Sequence, residues 1–290
     1  MQFKLDYTNL PDPSNKDKIR KLAYYSYGDE SNPNKLLCMH GLSRNGLDFR
    51  LLAEAAAADY HVICPDMAGR GKSDKLENPT DYNYPTYVSD TNALLAALAI
   101  TKTDWVGTSM GGIIAMMLGA TRPGLIGKLV LNDIGSIIWA KGLKRIINYV
   151  GGETSFVNKE LAMQYLKNTI APFGIKSDEH WQYAFAASFI ELRDGSYELA
   201  YDPQISAVFR AAATSGQEIA DVDLTAFWQH ITCPTLIIRG GLSDIISRQT
   251  CEKMCENRPQ NSFIEIPEVG HAPALMEDSQ IQTIRNWLVL

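Results

Sequence analysis

The chain has 290 residues, 46% hydrophobic and 21% charged, which is enough apolar material for a sizeable core and too much for long disordered stretches. Its formal net charge of −6 excludes a whole-protein attraction to nucleic acid or anionic lipid, and no Lys/Arg run supplies a local one. The N-terminal stretch through Lys21 lacks the apolar run of a signal peptide, and no segment approaches the roughly 20 apolar residues that cross a bilayer, so a cytoplasmic location is expected.

Residues 3–7 and 21–27 are strand-like and separated by a polar, proline-containing stretch, the pattern of an antiparallel edge hairpin. Short apolar or β-branched runs follow at 35–40, 61–65, 104–107, 128–131, 235–239 and 262–266. Helix-like segments at 47–58, 87–98, 111–120 and 248–256 alternate with them, which predicts a mainly parallel sheet covered by helices on both faces. Between about 134 and 231 the strand-like runs vanish. There Trp181, Phe185, Phe189 and Leu192 follow helical spacing, so an inserted helical lid is expected, with 1–133 and 232–290 forming the core domain. The five cysteines are odd in number; Cys38, Cys64 and Cys233 sit in apolar contexts, so buried thiols are expected rather than disulfides. Cys251 and Cys255 share a helix face without a nearby His or Cys pair, and no metal is expected there.

The chemistry concentrates at Gly107-Thr108-Ser109-Met110-Gly111, where an apolar strand runs directly into an apolar helix. Such a turn holds a serine in an unfavourable backbone conformation above the sheet's carboxyl edge, and the glycines are needed because side chains at 107 and 111 would collide. The helix that follows aims its free N–H groups at the place where a tetrahedral oxyanion would form.

A serine nucleophile needs a base oriented by a carboxylate. Of five histidines, His271 lies immediately after the last strand, in Glu268-Val269-Gly270-His271-Ala272-Pro273, and is the candidate base. Two carboxylates end strands, Asp133 and Asp244. Asp244 is preferred as the acid because its loop has the extra residues needed to reach across to a histidine, and the order Ser, Asp, His is kept. The loop His40-Gly41-Leu42-Ser43-Arg44 follows the first parallel strand; the amides of Leu42 and Met110 are the expected oxyanion donors, His40 is read as a brace, and Ser43 and Arg44 are candidates to face substrate. Trp139 and Trp181 are further candidate substrate contacts from the insertion.

With these residues in place the sequence resembles the α/β-hydrolase superfamily over nearly its whole length. Pro65-Asp66-Met67-Ala68-Gly69-Arg70-Gly71-Lys72-Ser73 is similar to the Asp-x-x-Gly-x-Gly-x-Ser loop of lidded members, where Asp66 and Gly69 would be architectural. The resemblance implies an α/β fold with an eight-stranded, mostly parallel sheet, and a group containing carboxylesterases, enol-lactonases, meta-cleavage-product hydrolases and cofactor-free haloperoxidases. Epoxide hydrolases and haloalkane dehalogenases carry aspartate at the elbow, where this chain has Ser109; meta-cleavage hydrolases often carry Asn where it has Thr108. The expected function is therefore hydrolysis of a small carboxylic ester or related acyl substrate through an acyl-enzyme, without cofactor. Carbon–carbon bond or enol-lactone hydrolysis of an acidic substrate is the alternative, with Arg44 as carboxylate clamp. Perhydrolysis is compatible with the same residues, and a non-catalytic small-ligand receptor is the alternative of another class.

Overall fold

The computed structural model describes residues 3–152, 154–207, 210 and 218–289; residues 153, 208–209 and 211–217 of the expected insertion lie outside them. Strands β1 (Lys4–Pro11) and β2 (Ile19–Tyr27) form the antiparallel hairpin, followed by β3 (Lys35–Met39), helix α1 (Arg50–Ala56), β4 (His61–Pro65), α2 (Tyr84–Ala97), β5 (Thr103–Thr108), α3 (Met110–Thr121) and β6 (Ile126–Asn132). The chain then leaves the sheet for β7 (Ile137–Ile138), α4 (Ala140–Tyr149), β8 (Ser155–Phe156), α5 (Lys159–Ile170), α6 (Asp178–Ser188), β9 (Phe189–Glu191), β10 (Tyr197–Leu199), β11 (Val222–Asp223) and α7 (Thr225–Trp228). It returns through β12 (Thr235–Gly240), α8 (Arg248–Cys255), β13 (Ser262–Ile266) and α9 (Asp278–Val289).

The main sheet has eight strands in the order β1-β2-β4-β3-β5-β6-β12-β13. From β4 to β13 every pairing is parallel, while β2 is antiparallel to both its neighbours. Alternate residues of each central strand enter different cores. Leu37, Met39, Trp105, Leu129 and Leu131 pack with α2 and α3 on one face, whereas Leu36, Cys38, Val106 and Val130 pack with α1 and α9 on the other. Both faces being covered explains why these strands read as continuous apolar runs. All five cysteines are free thiols. Among the described residues no helix is long and apolar enough to cross a membrane.

The insertion is less purely helical than its spacing predicts. Helix α6 stops at Ser188, and Phe189 opens β9 of a three-stranded sheet, β8-β10-β9. Phe189 still stacks on Phe185 at 4.8 Å between ring centroids, because the extended chain folds back over the helix end. A three-residue strand spans too little chain to show a period, so the helical stripe masked it.

Candidate active site

Register brings the functional loops together. Thr108 and Ile238 both pair with Asn132, so β5, β6 and β12 end side by side at the carboxyl edge, and β13 ends beside β12. Ser109 caps α3 at φ +50°, ψ −113°, a backbone conformation that L residues avoid and that the surrounding packing enforces. A Cβ on Gly107 would lie 2.6 Å from the Gly111 backbone, and one on Gly111 would lie 2.1 Å from the Met39 carbonyl oxygen, so the elbow closes only with glycines there. The Ser109 amide donates to the Asn132 carbonyl at 3.0 Å, and the Asn132 side chain donates to Thr108 Oγ1 at 3.0 Å and to the Pro273 carbonyl at 2.9 Å. Asn132 thereby ties the serine turn to the loop that carries His271.

The Ser109 hydroxyl lies 3.0 Å from His271 Nε2, and His271 Nδ1 lies 2.7 Å from Asp133 Oδ2. Asp133 is fully buried, and its carboxylate also accepts from the Gly240 amide at 2.7 Å and the Ser243 hydroxyl at 2.5 Å. The expected acid, Asp244, is not the partner of His271. Arg145 of α4 holds it in a two-pronged ion pair, Nε to Oδ2 at 2.7 Å and Nη2 to Oδ1 at 2.8 Å, and this hydrogen bonding keeps the Asp244 carboxyl below its ordinary range. Asp133 reaches the imidazole without a long loop because its own backbone turns at φ +54° directly after β6.

Beside Ser109, Gly41 brings the loop after β3 so close that a Cβ there would lie 3.9 Å from Ser109 Cβ. The Leu42 amide makes no backbone hydrogen bond among the described residues, and the Met110 amide opens a helix, where intrahelical acceptors are lacking. His40 is buried, with Nδ1 2.7 Å from the Gly41 carbonyl and Nε2 accepting from the Met67 amide at 2.9 Å. Burial, seconded by the charges of Arg70 and Arg44, lowers its pKa to about 3, so it braces the loop as a neutral ring.

Arg70 has a role the sequence does not announce. Its guanidinium is fully buried, donating to the carbonyls of Leu42 at 2.9 Å and Ala68 at 2.7 Å and to the Tyr87 hydroxyl at 3.0 Å, with the rings of Tyr87 and Tyr82 4.9 and 5.6 Å away. The Asp66 carboxylate accepts from the Gly46 and Lys72 amides at 2.7 and 2.8 Å, and a Cβ on Gly69 would lie 2.5 Å from the Tyr82 hydroxyl. Two loops are thus locked together under the site.

Two cavities open on Ser109. One, about 50 Å³, runs past His271, Ser43, Arg44 and Phe173; the other, about 260 Å³, runs along α3 past Met110, Ile113 and Met117. Of the candidate contacts, Ser43 and Arg44 line the first cavity, but Trp139 and Trp181 line neither. Trp139 leads into α4 partly exposed, and Trp181 packs into a separate apolar cluster with Lys167 over its ring. Arg44 donates through Nε and Nη2 to both Asp48 oxygens at 2.8 and 2.6 Å and through Nη1 to Ser188, so its charge is already matched. Among the described residues no group of three or more His, Cys, Asp or Glu side chains is arranged to hold a metal.

The sequence model of the alpha/beta hydrolase fold matches residues 34–278. The chain belongs to the α/β-hydrolase fold family. It is a hydrolase of this family, and its relatives are named accordingly. A 3-hydroxybutyrate-oligomer hydrolase of Cupriavidus necator is 38% identical over 91% of each chain. A protein of Rickettsia typhi assigned as a hydrolase superposes with TM-score 0.90 at 35% identity, covering 100% of this chain and 99% of its own. An α/β hydrolase of Novosphingobium aromaticivorans follows with TM-score 0.85 and 33% identity, over 99% and 98%.

Proposed function

We propose that this α/β hydrolase is a serine esterase that cleaves carboxylic esters through an acyl-enzyme on Ser109, with His271 as base and Asp133, not Asp244, as the orienting acid. The observation that carries the reading is the unbroken chain of hydrogen bonds from the Ser109 hydroxyl to a buried carboxylate, at 3.0 and 2.7 Å. His271 Nε2 takes the hydroxyl proton as Ser109 Oγ attacks the carbonyl carbon, while Asp133 holds the proton on Nδ1 and stabilises the imidazolium. The amides of Leu42 and Met110 stabilise the tetrahedral oxyanion. The same proton passes to the departing alkoxide, and water activated by His271 then releases the acid.

The insertion at 134–231 serves as a lid on a core made of 1–133 and 232–290, since Ile138, Leu143 and Ile146 wall the cavities above Ser109. The alternative reaction on acidic substrates would call on Arg44 as carboxylate clamp, and its pairing with Asp48 favours the ester reading instead. The relative named a 3-hydroxybutyrate-oligomer hydrolase, 38% identical, and one of Aeromonas salmonicida named a pimeloyl-[acyl-carrier protein] methyl ester esterase, 23% identical, fit the ester reading.

Ser109→Ala should lower turnover of p-nitrophenyl esters by about 10⁴-fold or more with unchanged circular dichroism, and should abolish labelling by a fluorophosphonate probe. Undiminished turnover would remove Ser109 from the mechanism. Correctly folded protein that neither reacts with the probe nor cleaves any ester would leave the ligand-receptor reading in its place.

A further inference from the structure

We infer that the 260 Å³ cavity along α3 is the acyl site, and that it selects unsubstituted medium-chain acyl groups over the short hydroxyacyl groups named for the Cupriavidus relative. This rests on the esterase reading above. The departing alkoxide must take its proton from His271 Nε2, so the leaving group lies on the side of Ser109 that His271 lines. His271 borders the 50 Å³ cavity and is absent from the lining of the larger one. When the bond between Ser109 Oγ and the carbonyl carbon forms and the bond to the alkoxide oxygen breaks, the acyl chain therefore points away from His271, along α3. Hydrolysis returns the Ser109 proton and frees the carboxylic acid, with no further reactant than water.

The walls on that side are Met110, Ile113, Met117, Ile134, Leu143 and Phe227. Among the described residues no charged side chain lines the cavity. A dry apolar cavity of roughly 150 Å³ accepts benzene, so at the same density 260 Å³ takes a chain of about eight to ten carbons. Among the described residues the lining's polar side chains are Ser109 and Tyr84, so a hydroxyl at the third carbon of the acyl group would leave water for at most the Tyr84 phenol, whereas each added methylene should raise kcat/KM about three- to fourfold until the cavity is full. The histidine side, at about 50 Å³, suits a small alcohol.

An isomer pair tests the direction of binding. Methyl nonanoate and octyl acetate contain the same atoms with the ester reversed; the expected kcat/KM for methyl nonanoate is at least about tenfold higher. In a methyl ester series from two to sixteen acyl carbons the expected optimum lies near eight. Met117→Trp should lower the octanoate-to-acetate ratio by about tenfold, and Ile113→Phe serves as the milder filling if the tryptophan variant does not fold. Turnover that peaks at acetate, favours octyl acetate, or keeps its octanoate-to-acetate ratio in a folded filling variant overturns the acyl-site assignment alone. Absence of turnover on every ester together with no fluorophosphonate labelling overturns the esterase reading and this inference with it.

Discussion

Asp133 and Asp244 both end strands of the parallel sheet, and their surroundings differ. The Asp133 carboxylate is fully buried and meets an amide, a hydroxyl and the His271 ring. Asp244 meets a cation and is partly open to water. Exchanging Asp133 for Asn would offer His271 Nδ1 an amide and favour the wrong imidazole tautomer, so kcat on a p-nitrophenyl ester should fall by about 10³- to 10⁴-fold. Asp244→Asn should change kcat by less than about tenfold, and a result with the two variants reversed would restore Asp244 as the acid. Ser109 and His271 were legible because each lies in a local pattern whose spacing implies a turn at a strand end. Which carboxylate meets His271 was not, because it depends on a left-handed turn at Asp133 and on Arg145, a residue 99 positions from Asp244. An aspartate following Asn132 tolerates that turn better than most residues, which is the one local hint the chain offers.

At the scale of elements, the loop after β3 and the loop after β4 act as one support, and Arg70 is the joint between them. Its fixed fork reaches the Leu42 and Ala68 carbonyls and the Tyr87 hydroxyl at once, a geometry that a lysine ammonium on a flexible stem cannot reproduce. Arg70→Lys should cost about 3 kcal/mol through acceptors left without donors, a fall in Tm of roughly 5 °C for a chain of this size. Because the Leu42 carbonyl loosens, kcat should drop more than KM rises. An unchanged Tm by differential scanning calorimetry would show that the loops do not depend on this joint. The parallel strands and α3 were legible from their apolar runs, since burial on both faces writes itself into composition. The short strands β8, β9 and β10 were not, because two or three residues carry no periodicity and their pairing is decided by neighbours distant in sequence.

For the molecule as a whole, two buried titratable groups set opposing slopes of stability against pH. Burial lowers the His40 pKa from 6.5 to about 3, so between those values the unfolded chain binds a proton that the native protein does not, and stability is lost as pH falls. Burial raises the Asp66 pKa from 3.8 to about 6 against the hydrogen bonds from Lys72 and Gly46, so the native protein binds the extra proton there, and stability is lost as pH rises from 3.8 to 6. Over that shared window the two effects oppose one another, which flattens the pair's contribution; below it only the His40 loss remains. His40→Gln keeps a donor for the Gly41 carbonyl and an acceptor for the Met67 amide but cannot titrate. The variant should start less stable than the parent at pH 7, and the gap should close by about 1.4 kcal/mol per pH unit as pH falls below 6.5. Urea unfolding at pH 7, 6, 5 and 4 measures it. A gap that stays constant across those four values would mean that His40 is protonated alike in the folded and unfolded chains, and that the loop beneath Leu42 is braced by a ring that can carry charge.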